Sequence, residues 1–223
     1  MVFNPLMMYG VQSLVFKTFL KLQVPNYALF LLSGLLPWIF ISQALEMCTS
    51  LLVTSGPLLK SYPVHPLVYL FAQLVDNAIN FLAAFILLLV PVWYFQPGQS
   101  LPLLLLPIPL VLLLVSVLGL AWLLATLQVF FRDTRFLVTF AISICFFITP
   151  IFYPTAFVPE KFRWMTMINP FHRLIDPFRV VIYNFSFEAF VNSCFAAAIV
   201  ATASISIAYL FWRKKRNAVY LNI

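Results

Sequence analysis

The stretch FFITPIFYPTAFVPEKFRWMTMINPF, residues 146–171, begins as apolar as any membrane helix. It then takes in Pro150, Pro154, Pro159 and Pro170, with Glu160, Lys161 and Arg163 among them. Proline ends or kinks a helix, because it lacks the N–H and its ring meets the preceding turn. Charge is costly in lipid. The run therefore breaks up where the chain leaves the hydrocarbon, and this reading sets the frame for everything on either side of it.

The composition agrees. The chain has 223 residues, of which 64% are hydrophobic, 17% aromatic and 9% charged, with a mean hydropathy of +1.03. Soluble domains are nearer half apolar and a quarter charged. The whole chain, 1–223, reads as one transmembrane domain with no independent soluble unit. A net charge of +7 in a soluble protein would point to nucleic acid. Here the basic residues sit mostly at the ends of apolar runs, so they speak of membrane topology and no nucleic-acid partner is expected. Cys48, Cys145 and Cys194 lie inside apolar runs without CxxC spacing or a nearby His. They read as small buried hydrophobes, with no disulfide framework and no metal.

Apolar segments run over residues 1–16, 27–55, 67–95, 101–131, 136–153 and 189–212, with a bend expected at Pro37. The first reaches about 24 Å as a helix, short of the ~30 Å hydrocarbon core. It lacks the basic start and cleavage site of a signal peptide. It reads as the second half of a span whose beginning is missing, as in a fragment or a misplaced start. Six spans, the first truncated, put alternate loops on alternate sides. One side receives 54–66 with Lys60, 132–135 with Arg132 and Arg135, and the tail with Arg213, Lys214, Lys215 and Arg216. The positive-inside rule makes that side cytoplasmic, although the outer segment 154–188 carries four basic residues of its own.

Within that outer segment, 159–168 reads as a short helix with Pro159 at its first position and Glu160 in its first turn. Asn169 caps a second helix opened by Pro170. Phe171, Leu174, Ile175, Phe178 and Ile182 share one face of it; His172, Arg173, Asp176, Arg179 and Tyr183 share the other. Asp176 lies within a turn of both Arg173 and Arg179 and can pair with them. Pro177 predicts a kink around Arg173 to Asp176. Two readings stand: an amphipathic helix resting on the membrane surface, or two helices dipping back from the outer face at a pore mouth.

The order VFFRDTRF, ITPIFYP, VPEKFRWMTMINPFHRLIDPFR, together with LFLLSGLLPWIFISQAL and LLKSYPVHP upstream, resembles the permease subunit of type-2 ABC exporters. More narrowly, it resembles the branch that exports O-antigen, capsule or teichoic-acid polymers. The likeness covers nearly the whole chain. It departs at the front, where members carry a basic amphipathic cytoplasmic helix and the first half of helix one. The resemblance implies an all-α membrane protein with six spans and two short re-entrant helices, 159–168 and 170–183, shaping an outer gate with Pro150, Pro154, Pro159, Asn169, Pro170, Arg173, Asp176 and Arg179. It also implies a second copy of the chain, a bacterial inner-membrane location and a lipid-linked glycan as cargo. The loop with Leu58, Leu59, Lys60, Tyr62 and Pro63 would couple to a separate ATPase subunit; an ordinary connecting turn is the alternative.

No GxxxxGK[ST] occurs, and five glycines offer no phosphate-cradling loop. ATP and Mg²⁺ are therefore expected on the partner subunit, with no cofactor on this chain. Arg132, Asp133 and Arg135 read either as an interfacial anchor or as a salt-bridged hinge or phosphate contact. Gln73, Asp76, Asn77 and Asn80 fall on one stripe of the third segment, for helix–helix bonding or for lining a glycan path. Glu46 is an acid in an apolar run, paired or protonated. The many aromatics serve as core or as sugar-stacking faces. Other classes remain: a related permease for a drug or small lipid, a membrane-embedded transferase, and a channel or ion-coupled carrier. The last two would normally show clustered acids, histidines or several mid-membrane charges.

Overall fold

The computed structural model describes residues 25–61, 64–95 and 102–222. The half-span read over 1–16, and Tyr62 and Pro63 of the coupling loop, lie outside the described residues. Among the described residues eight α-helices follow one another: α1 (Tyr27–Thr54), α2 (Gly56–Ser61), α3 (Pro66–Phe95), α4 (Pro107–Phe130), α5 (Thr134–Ile148), α6 (Arg163–Ile168), α7 (Pro170–Ile182) and α8 (Phe187–Asn222). Short 3-10 turns occupy Pro102–Leu105, Thr155–Phe157 and Glu160–Phe162.

Among the described residues four helical stretches are long and apolar enough to cross a membrane: Leu29–Thr54, Pro66–Leu87, Pro102–Phe130 and Phe187–Tyr220. The fifth apolar segment, read to Tyr153, ends as helix at Ile148. Pro150 is the reason, since the residue before a proline is pushed out of the α region; Thr149 is extended, with φ −79° and ψ 126°. At 15 residues, α5 is about 22 Å long, less than the ~30 Å core. In contrast, α8 runs past Trp212 and carries the basic Arg213 to Arg216 on its last turns. Pro37 lies inside α1 without ending it.

The central helix is α1, packed against α3, α4, α5 and α7. It enters through Asn26, whose left-handed φ of 46° is one that asparagine accepts more readily than most residues. Leu31, Leu35, Ile41, Ala44, Cys48 and Leu52 are fully buried along it. Large apolar side chains on the outer helices, such as Phe71, Ile79, Val111, Phe195 and Ile207, stay exposed. In water that surface would aggregate; around a bundle of spanning helices it faces lipid.

A second strong contact joins α4 and α8. A Cβ built on Gly119 would lie 2.6 Å from the Ser204 hydroxyl and 2.7 Å from the Ile205 nitrogen. Only glycine permits this backbone approach, the small-residue packing common between membrane helices. Further along, the Lys215 ammonium lies 5.9 Å from the Phe130 ring centroid, so the two helices run parallel. His65 and Trp122 both meet Trp212, with ring centroids 5.5 and 5.9 Å away. The end of the 56–65 connection and the later part of α8 therefore share one end of the bundle.

Candidate functional site

At the other end, the proline-rich stretch leaves α5 and comes back to it. The Thr149 hydroxyl donates to the Cys145 carbonyl at 2.7 Å and accepts from the Asn169 amide at 2.8 Å. Asn169 then caps α7, its Oδ1 accepting from the backbone N–H groups of Phe171 (3.0 Å) and His172 (3.4 Å). Pro170 fills the first helical position, where its missing N–H costs nothing. One amide thus ties the end of one helix to the start of another. Between them, the helix read over 159–168 is split into the 3-10 turn Glu160–Phe162 and α6, and Pro159 precedes that turn rather than opening a helix. Pro154 likewise precedes Thr155–Phe157.

From Asn169, α7 runs antiparallel to α1. Phe171 packs on Trp38 with centroids 5.6 Å apart, and Tyr183 meets Phe30 at 5.4 Å. The Tyr183 hydroxyl donates to the Pro25 carbonyl at 2.8 Å, and the Tyr27 hydroxyl to that of Phe152 at 3.1 Å. Leu174, Ile175, Phe178, Val181 and Ile182 are fully buried, and Phe178 stands edge-on to Phe81 and Phe85 of α3. Such burial does not fit a helix resting on the bundle's surface. The polar face is corrected too: His172 is 8% exposed and Arg179 9%.

Arg179 has a definite task. Its Nη1 donates to the Pro150 carbonyl at 2.9 Å and its Nη2 to that of Ile151 at 3.0 Å. These carbonyls follow a helix cut short by proline, and buried carbonyls need partners. The guanidinium carbon lies 4.1 Å from the Phe30 ring centroid, a cation–π distance. A Cβ on Gly34 would lie 2.6 Å from Nη2, so this glycine of α1 leaves the space the guanidinium fills. Burial pulls the Arg179 pKa down to about 10, while the charge of Asp176 and then Tyr27 hold it up. It stays protonated at neutral pH. Burial also lowers the His172 pKa; Asp176 opposes this, and Arg179 and Arg173 reinforce it.

The expected pairing of Asp176 with Arg173 and Arg179 does not form. Among the described residues the ion pair within 4 Å is Arg163 with Glu160, at 3.6 Å. Arg173 turns its Nε to the Met167 carbonyl at 2.9 Å, and Asp176 acts on Arg179 through space. The contributions of Gly34, Phe30, Tyr27 and Thr149 were not legible in advance. The one local signal was a glycine inside an otherwise bulky helix.

The polar stripe of α3 divides. Asn77, 4% exposed, and Asn80 border a cavity of about 20 Å³ shared with Gln43 and Phe40 of α1, room for one water. The Asn77 side-chain nitrogen is buried there without a protein partner. Asn80 donates to the Asp76 carbonyl, Gln73 reaches the Met47 sulfur at 3.8 Å, and Asp76 is exposed. Beside this cavity a larger groove, about 390 Å³, runs between α1 and α5, lined by Trp38, Ser42, Gln43, Glu46, Ser143 and Phe146 among others. Of these, the sequence had marked only Glu46.

At the opposite end, Arg132, Asp133 and Arg135 are all exposed and, among the described residues, form no ion pair within 4 Å. The salt-bridged hinge is corrected: Gln128 braces the turn, its Nε2 donating to the Arg132 carbonyl at 2.8 Å and its Oε1 accepting from the Arg135 N–H at 2.7 Å. Gln128 can do this because it is the last polar side chain of α4 and holds both a donor and an acceptor. In the loop expected to couple to an ATPase, Leu58 is exposed, Leu59 is buried, and Lys60 belongs to α2. Among the described residues no group of three or more His, Cys, Asp or Glu could hold a metal ion.

Known proteins are similar to this chain in sequence. A sequence model of the ABC-2 type transporter family matches residues 1–183. The chain is 27% identical over 182 residues to the O-antigen export system permease protein RfbA of Klebsiella pneumoniae, covering 81% of this chain and 70% of that protein. A second Klebsiella pneumoniae protein of the same name is 26% identical over 208 residues, covering 92% and 80%. That of Myxococcus xanthus is 26% identical over 210 residues, covering 93% and 78%. With its long apolar helices and a family match over most of its length, the chain is a multi-pass membrane protein of the ABC-2 type transporter family.

Proposed function

We propose that this chain is the permease subunit of an ATP-driven exporter that moves lipid-linked polysaccharide across a bacterial inner membrane. The observation that carries the reading is the similarity to O-antigen export permeases along most of the chain's length. The α1–α5 groove supports it. Phe147 and the half-buried Phe146 offer faces on which the C–H side of a sugar can pack, and Ser42, Gln43, Glu46 and Ser143 offer hydrogen bonds to hydroxyls. Asn77 and Asn80 extend that polar strip.

In this reading the chain is a single permease domain with six spans, the first being the truncated one read over 1–16. The α7 helix is re-entrant. Re-entrant helices are tolerated where protein or a wet cavity covers them, and α7 is covered by α1, α3 and α8. The segment 149–183 then forms the outer gate. A second copy completes the channel. A separate ATPase subunit, which binds ATP and Mg²⁺, engages α2 and the adjoining loop.

The test is purification of the protein in mild detergent, followed by mass spectrometry of what accompanies the chain. A stoichiometric ATPase and a polyprenyl-linked glycan are expected. An ATPase with a drug-like or small lipid cargo would keep the transporter and overturn the polysaccharide. No ATPase under conditions that preserve complexes would overturn the transporter reading.

A further inference from the structure

Lys161, Arg163, Arg173 and Arg179 stand in a segment where the positive-inside rule expects few basic residues. The connector carbonyls account for Arg179. Nothing above accounts for Arg163 and Arg173, which converge from α6 and α7 on one pocket of about 430 Å³, lined also by Thr155, Thr166 and His172. No carboxylate lines it. Arg173 gives only its Nε to a protein acceptor, so among the described residues its terminal nitrogens are uncommitted. Arg163 has Glu160 at 3.6 Å, but that carboxylate side chain is 87% exposed, and such surface pairs hold weakly.

Met167 lines the pocket. With Phe157, Phe162, Trp164 and Ile168 it is exposed on one short segment, an apolar rim along the chain that carries Arg163. Exposed aromatic and apolar side chains beside guanidinium groups match the level of lipid headgroups, where one end of the surface is greasy and the other charged. A guanidinium fork takes phosphate oxygens in pairs.

We propose that this pocket holds the phosphate of a membrane lipid headgroup. Arg163 and Arg173 grip its oxygens, Thr155 lies beside them, and the exposed rim rests among the acyl chains. Free phosphate would satisfy the arginines and leave the rim in water, so a lipid is the occupant. The inference holds for any cargo; the outer-gate reading decides only which leaflet supplies the lipid.

The protein, reconstituted in nanodiscs of equal phosphatidylglycerol and phosphatidylcholine, would be released into a native mass spectrometer and its retained lipids counted. Retention of phosphatidylglycerol in excess is expected. Each arginine near a membrane surface is worth ~1 kcal/mol, or about fivefold. Arg163→Gln should therefore cut the excess about fivefold, and Arg163→Gln with Arg173→Gln should abolish it. The double lysine variant should keep part of it. Arg163→Gln alone removes little protein contact, so it remains readable if the double variant misfolds. An excess that the glutamine variants leave unchanged would overturn the proposal. So would displacement of the lipid by inorganic phosphate at equal concentration.

Discussion

The two tight junctions of this molecule are made in opposite ways. Where α4 meets α8, the backbones touch because Gly119 has no side chain. Where α7 meets α1 and the 149–152 connector, a few directional bonds do the work: Asn169 to Thr149, Arg179 to Pro150 and Ile151, Tyr183 to Pro25. Steric closeness has one optimum and no alternative partner. Hydrogen bonds can be exchanged for others of similar energy, and two-state elements are built from such contacts. The first junction suits a scaffold and the second suits a gate.

The harshest way to break that contrast is Arg179→Met. It strands two carbonyls, and orphaning buried polar groups costs about 1–3 kcal/mol each. A large fall in melting temperature in detergent, with loss of transport, is expected; an unchanged melt would remove Arg179 from the gate. Next comes Gly119→Leu, which forces α4 from α8 at a typical overpacking cost of about 1–3 kcal/mol. It should lower stability without the loss of transport that accompanies Arg179→Met at equal destabilisation. Gly34→Ala sharpens the comparison, because the clashing atom is the end of a flexible side chain. It should destabilise the wild type and cost nothing further in the Arg179→Met background, since coupled sites are non-additive. Full additivity in that cycle would mean Gly34 serves something else. Asn169→Ala removes a cap worth about 1 kcal/mol, plus the tie to Thr149; Thr149→Val should reproduce only the second part. Smallest of all, Asp133→Asn should leave the melt unmoved, because Gln128 and not a salt bridge holds that turn.

Much of the fold was legible because its causes are local. Helix limits followed prolines and polar breaks: α1 and α3 begin and end within a residue or so of the read segments. The cap at Asn169 and the proline after it announce α7 by chemistry confined to a few neighbouring residues. The failures have one character. Arg179 was assigned to a wet face because helical spacing places it with Arg173 and Asp176. Its acceptors lie 29 and 28 residues back in the chain. Asp133 seemed the natural partner for two flanking arginines, yet Gln128 reaches the turn's backbone first. The stripe on α3 was periodic, but which of its members face α1 depends on how the helix is rotated in the bundle.

The amino-acid sequence by itself determined that this chain lives in a membrane, where α1, α3 and α7 start and stop, and which family it resembles. Lipid permits only helices or closed barrels, and proline and asparagine act within one turn. The tertiary structure alone decided which polar side chains turn inward. In a bundle where nearly every helix is apolar on all sides, hydrophobicity no longer selects a buried face. Burial of Arg179 is settled by where the broken helix leaves its carbonyls and where α1 has a glycine to make room.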